Sequence, residues 1–296
     1  MPHGIGIGAS QAKQIVYTQY GVTGSSASQT FTTTVPILAG DVVVFSYNAA
    51  SNGALSSTTS GFVWSFNFPI AASAAPRNLV GFCTTSGQTS FTINGLYTGA
   101  TPNDYGFVIL RELEATTSTT VSSATSLTSG SSATITLAST TGFSSAGGVA
   151  ILTHSGAQYN VQYTGVSGST ITGCKLVGGA NVTTSSGDVL VATPIGAFAY
   201  STSQTGISPA VNLSSYSKML VYVVSGAYAL LGPVTTSLTS GYAANIQTYV
   251  SNGLGQGRNF ASFSAQEVAG VSSEVATTTW NGSANGFVTL FGFIHA

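Results

Sequence analysis

The chain has 296 residues, of which only 4 % are charged, and six basic and seven acidic side chains leave a net charge of −1. The cations Lys13, Arg77, Arg111, Lys175, Lys218 and Arg258 are scattered, which excludes a phosphate-tracking groove for nucleic acid and a polybasic membrane anchor. With 43 serines and 41 threonines beside 43 % hydrophobic residues, the composition describes a core covered by hydroxyls rather than a disordered coil.

Residues 1–12 read as a flexible N-terminal arm. Its glycines, Gly4-Ile5-Gly6-Ile7-Gly8, do not follow a strand and open a helix, as a phosphate loop must. Met1 to Val16 has neither the basic start nor the apolar stretch of a signal peptide, so synthesis in a cytoplasm without a secretion address is expected.

Residues 13–115 are expected to form a β-sandwich. Helix formers are scarce and short alternating runs abound. Gln29 to Val35, Val42 to Tyr47, Asn78 to Cys83, Ser90 to Ile93 and Tyr105 to Leu113 read as strands. So does Phe62-Val63-Trp64-Ser65-Phe66-Asn67-Phe68, with four aromatics on one face. Turn clusters such as Ser51-Asn52-Gly53 and Thr101-Pro102-Asn103-Asp104 separate them.

The Ser/Thr-rich stretch 116–132 has a linker composition. Residues 133–193 form a small β module, in which Ala133 to Leu137 alternates, Thr141-Gly142-Phe143 turns and Gly148 to Leu152 pairs back. Gln158 to Thr164 and Ser169 to Gly173 make the next hairpin. About 60 residues are marginal for independent folding, so the module is expected to lean on a neighbour.

Residues 194–296 read as a second sandwich, with strands at Ala197 to Tyr200, Lys218 to Val224, Tyr242 to Val250, Asn259 to Phe263 and Phe287 to Ile294. The apolar run Met219 to Val234 is broken by Ser225, Gly226, Gly232 and Pro233. It therefore reads as buried strands, not as a membrane span of about 20 apolar residues.

The two sandwiches carry the same segments in the same order. Arg77-Asn78-Leu79-Val80-Gly81-Phe82 recurs as Arg258-Asn259-Phe260-Ala261-Ser262-Phe263, and Gly106 to Leu110 recurs as Gly286 to Leu290. The run Val42-Val43-Val44-Phe45 after Asp41 matches Met219-Leu220-Val221-Tyr222 after Lys218. Such ordered repetition predicts a duplicated domain. The expected fold class is all-β: two homologous, jelly-roll-like β-sandwiches flanking a small β module.

The stretch Ile135 to Phe143, followed by Val161-Gln162-Tyr163-Thr164-Gly165 and Gly168 to Cys174, resembles a small β module recurrent in tail and baseplate proteins of bacteriophages. The flanking copies, with Leu38-Ala39-Gly40-Asp41-Val42-Val43-Val44, resemble sandwich domains of phage structural and bacterial surface proteins. The resemblance implies a virion structural component.

Side chains that could carry chemistry are few. Glu112 and Glu114, two apart on an expected strand, would share a face about 7 Å apart, a spacing that suits glycoside cleavage. The second copy has no carboxylate in the counterpart Phe291-Gly292-Phe293-Ile294, which argues for a solvated strand end. His3, His154 and His295 are dispersed, and no metal-ligand spacing occurs. No serine stands out as a nucleophile with a partner base. Cys83 and Cys174 read as buried free thiols, with a disulfide between them left open. Trp64 reads as core. Arg77 and Arg258, each opening a strand, and Trp280 beside a turn are the candidate contacts to another subunit or to a receptor.

The expectation is a non-enzymatic virion protein with no catalytic, metal or cofactor site: a minor tail, tail-tip or fibre-associated component. Its partners would be copies of itself, as a trimer, and other virion proteins. Nucleic acid and membrane insertion are excluded. The alternatives are a capsid protein (double jelly-roll coat or head decoration) and a receptor module that binds host surface glycan through Trp280.

Overall fold

The computed structural model describes residues 15–48, 54–65, 77–98, 104–201, 208–216, 219–228, 235–238, 246–247, 258–260, 262–268, 271–279 and 286–296. Among them there is no helix, and all paired strands are antiparallel.

In the first sandwich one sheet runs, edge to edge, Ile15–Val22, Asp104–Leu110, Val42–Asn48, Arg77–Cys83 and Phe62–Trp64. The facing sheet pairs Ser28–Ile37 with Gln88–Asn94, and Ser56 bridges Asn94. The chain thus passes back and forth between two sheets, the connectivity of a jelly roll. Ser28–Ile37 alternates as expected, with Phe31, Thr33 and Ile37 buried and Thr30, Thr32 and Thr34 exposed. An aromatic core fills the space between the sheets. The Phe31 ring lies 4.8 Å from Tyr105 and 5.0 Å from Phe45, and Phe91 meets Phe107 edge-on at 5.0 Å.

The second sandwich repeats this order. Its first sheet runs Ile195–Ser201, Gly286–Ile294, Met219–Tyr228, Ser262–Val268 and Ile246–Gln247, with Arg258–Phe260 pairing further along Met219–Tyr228. Its second sheet pairs Thr235–Leu238 with Ala276–Thr279, and Val211 bridges Glu274. Both copies carry the same bulge. Ile15 pairs with Leu110 and Tyr17 with Ile109, as Ile195 pairs with Phe293 and Ala197 with Gly292.

That bulge corrects the alignment drawn from sequence. Leu110 corresponds to Phe293, not to Leu290, and Val42 to Leu220, not to Met219. Side-chain direction agrees: Val42, Leu110, Leu220 and Phe293 share one cluster, whereas Met219 and Leu290 belong to the second sandwich's own interior. An odd shift turns each side chain to the opposite face.

The shared cluster is the organising feature of the molecule. The two large sheets pack against each other, placing Val42, Val44, Val80, Phe82, Val108 and Leu110 opposite Leu220, Tyr222, Val224, Phe291 and Phe293. Strands such as Val42–Asn48 are therefore buried on both faces, since Val43, Phe45 and Tyr47 fill the first sandwich's own core. Sheets covered on both sides read as near-continuous apolar runs.

The middle module enters the same cluster through Val149, Ile151 and Val191. Its sheet runs Ala133–Thr136, Thr170–Leu176, Ala157–Tyr163, Gly148–His154, Val189–Ala192 and Thr117–Thr120. The two edges then meet: Ser122 N donates to Thr136 O (2.8 Å) and Ala138 N to Thr120 O (2.9 Å), closing a barrel around Ile135, Leu152, Val161, Ile171 and Leu190. Two expectations change here. The stretch 116–132 is no linker, because it supplies Thr117–Thr120 and Ser126–Leu127, with Leu127 fully buried. Ala133–Thr136 pairs with Thr170–Leu176 and not with Gly148–His154.

Candidate functional site

A short chain of buried polar side chains lies where the two large sheets meet. Ser46 Oγ donates to Asn78 Oδ1 (2.6 Å), and Asn78 Nδ2 donates across the seam to Thr289 Oγ1 (3.2 Å). All three side chains are buried. This chain fixes which residues face each other across a surface otherwise held by non-directional apolar contact.

At one end of the seam the copies clasp each other through backbone. Leu113 and His295 form a bridge; Glu114 N donates to Ile294 O and Ala296 N donates to Glu112 O, both at 3.0 Å. The two bonds are the reciprocal pair of an antiparallel bridge, here formed between the two copies. Glu112 turns at φ 62°, so the strand ends at Leu110. The two glutamates therefore do not share a strand face; they flank buried Leu113. Burial raises the Glu114 carboxyl above its ordinary range.

The sequence candidates fall as follows. Arg77 opens its strand but is only 8 % exposed, and burial lowers its pKa against the raising influence of Tyr47. Arg258 pairs with Tyr228 and Arg77 with Tyr47; measured from Leu220 and Val42, these stand at different levels of the sheet, so the two arginines are not equivalent. Trp280 lies outside the described residues, as does His3. Trp64 is buried, stacked on Phe62 at 5.0 Å. Cys83 and Cys174 are buried free thiols in separate clusters.

Two close pairs of titratable side chains add to these. Arg111 grips Asp41 with two bonds, Nε to Oδ1 at 2.8 Å and Nη2 to Oδ2 at 2.7 Å, while Leu38 N donates to Oδ2 at 2.8 Å. The hydrogen bond to Asp41 raises the Arg111 pKa. The pair ties the Leu38–Asp41 turn to the end of Asp104–Leu110. The turn motif Ala39-Gly40-Asp41, with Gly40 at φ 90°, was its only sequence signal. In the middle module, His154 Nδ1 lies 2.8 Å from Asp188 Oδ2.

The joint between module and second sandwich is equally close. Tyr216 Oη lies 3.0 Å from the Gly147 carbonyl and 2.9 Å from that of Gly196, and Thr193 Oγ1 donates to Val149 O at 2.6 Å. Seam and joint together bring the two sandwiches and the barrel into direct contact. Comparison with family models, curated proteins and solved structures finds no match for the chain.

Proposed function

We propose that the protein is a structural subunit of a virion, a tail, tail-tip or fibre-associated component that assembles with copies of itself and with other virion proteins. The observation that carries this reading is the seam: two jelly-roll-like sandwiches and a barrel share one apolar core. Such a block transmits load without internal hinging. Its first sandwich presents Ser28, Thr30, Thr32 and Thr34 outward, and a surface with few charges has little repulsion to hold copies apart. Assembly should accordingly depend little on salt, with a trimer as the expected state.

The duplicated jelly-roll connectivity favours one alternative, a coat or head-decoration protein. Quantitative mass spectrometry of purified particles, counting this chain against the major capsid protein, separates the two. A few to tens of copies support the tail reading and hundreds support the shell. Absence from particles removes the virion reading altogether.

A further inference from the structure

At one end of the barrel three side chains form a hydrogen-bonded series. Asp188 Oδ2 lies 2.8 Å from His154 Nδ1, and His154 Nε2 lies 3.3 Å from Ser155 Oγ. Asp188 is itself held, since Ser185 N donates to Oδ2 at 2.6 Å and Val121 N donates to the Asp188 carbonyl at 2.8 Å. The strand register, Thr153 opposite Val189, sets Asp188 beside His154. With Nδ1–H given to the carboxylate, Nε2 carries the lone pair that accepts the serine proton. That is the order of nucleophile, base and orienting acid used in acyl transfer.

The backbone supplies a second observation. Ser155 occupies the tip of the hairpin joining Gly148–His154 to Ala157–Tyr163, with φ 50°. It is one of two non-glycine residues with positive φ among those described. Gly156 follows at φ 77°, so both central turn positions need left-handed backbone, which Asn or Gly adopts at least cost. Serine there is less favourable than Asn or Gly, and the turn leaves its hydroxyl exposed beside the imidazole. Non-glycine residues with such backbone gather at functional sites.

We infer that Ser155, His154 and Asp188 form a nucleophilic site that takes acyl groups from small carboxylic esters. Ser155 Oγ bonds to the ester carbonyl carbon as its proton passes to His154 Nε2. The carbon–alkoxide bond then breaks, and the alkoxide leaves with that proton as the alcohol. Water attacks the acyl-serine, again losing a proton to Nε2; the acid departs and Ser155 recovers its proton. Asp188 touches no substrate and acts by positioning His154.

The test treats the full chain with a fluorophosphonate probe, follows adduct formation by intact mass, maps the adduct, and measures 4-nitrophenyl acetate turnover alongside. The expected result is one adduct per chain, on Ser155. His154→Gln should slow labelling about 100-fold, and Asp188→Asn should slow it and shift its pH profile. Ser155→Gly separates chemistry from folding: glycine accepts the left-handed backbone, so this variant should melt higher than wild type yet take no label. Labelling of wild type no faster than of Ser155→Gly, or unchanged in a folded His154→Gln, would overturn the assignment.

Discussion

Gly81 shows how a single hydrogen atom shapes the first sandwich. A Cβ placed there would sit 2.4 Å from Trp64 Cζ3, inside the indole. The ring lies flat across the strand because Gly81 leaves the space. Gly81→Val is expected to destabilise by about 1–3 kcal/mol, read by urea unfolding together with a red shift of Trp64 emission. The thiols give another test at this scale. Burial raises Cys83 and pushes Cys174 up to about 11, so neither should react with a disulfide reagent at pH 8 until denaturant opens the fold. Rapid native reaction of Cys174 would contradict its place in the barrel core.

Tyr216 carries a pH dependence. Burial pushes its phenol up to about 12, opposed by a hydrogen bond with Ser144 and reinforced by Glu114, and Tyr163 beside it is raised further by the same cause. A folded pKa above the unfolded value of about 10 means that the neutral phenol is the form the fold favours. The stability this contributes is intact below pH 10 and is lost as pH rises from about 10 towards 12. Ultraviolet titration should show exposed tyrosines ionising near pH 10 and a second, cooperative step above it, coincident with loss of folded signal. A single step near pH 10 would contradict the closed joint.

Among the elements, the strands of the seam are the most consequential. Phe82→Ala removes a buried ring from the shared cluster and is expected to cost about 3–5 kcal/mol. The Ser46–Asn78–Thr289 chain predicts a coupling between Asn78→Ala and Thr289→Val of about 0.5–3 kcal/mol in a double-mutant cycle. Additivity would mean that the two sheets do not register through these side chains.

The same strands mark what sequence could and could not tell. Ser28–Ile37 was legible because one face meets water, and its threonines and apolar residues alternate. Residues 42–47 and 219–224 are buried on both faces, so the repeat is visible in the sequence but its register is not. Similar letters in the two copies point in opposite directions. The stretch 116–132 looked like a linker because Val121 and Leu127 are single apolar residues among hydroxyls, and a closing barrel needs no more from its edges. Asp188 and His154 stand 34 residues apart, and only the pairing of their two strands brings them together.

At the level of the whole molecule, the chain is a fused pair of sandwiches with a barrel set against the joint; each part has its own interior, and one further apolar cluster belongs to all three. Neither large sheet has a solvated face to fall back on if the other departs. The proposed role as a rigid virion subunit rests on this arrangement, because a block that flexed at a linker would not hold a fixed geometry in an assembly. Its unfolding should then be one event. The decisive measurement is native-state hydrogen exchange of the full chain across a denaturant series, comparing amides of Val42–Asn48 and Asp104–Leu110 with those of Met219–Tyr228 and Gly286–Ile294. The shared core predicts that the four strands form the slowest class and converge on one opening free energy. Two separate free energies, with one sandwich opening while the other stays protected, would contradict it.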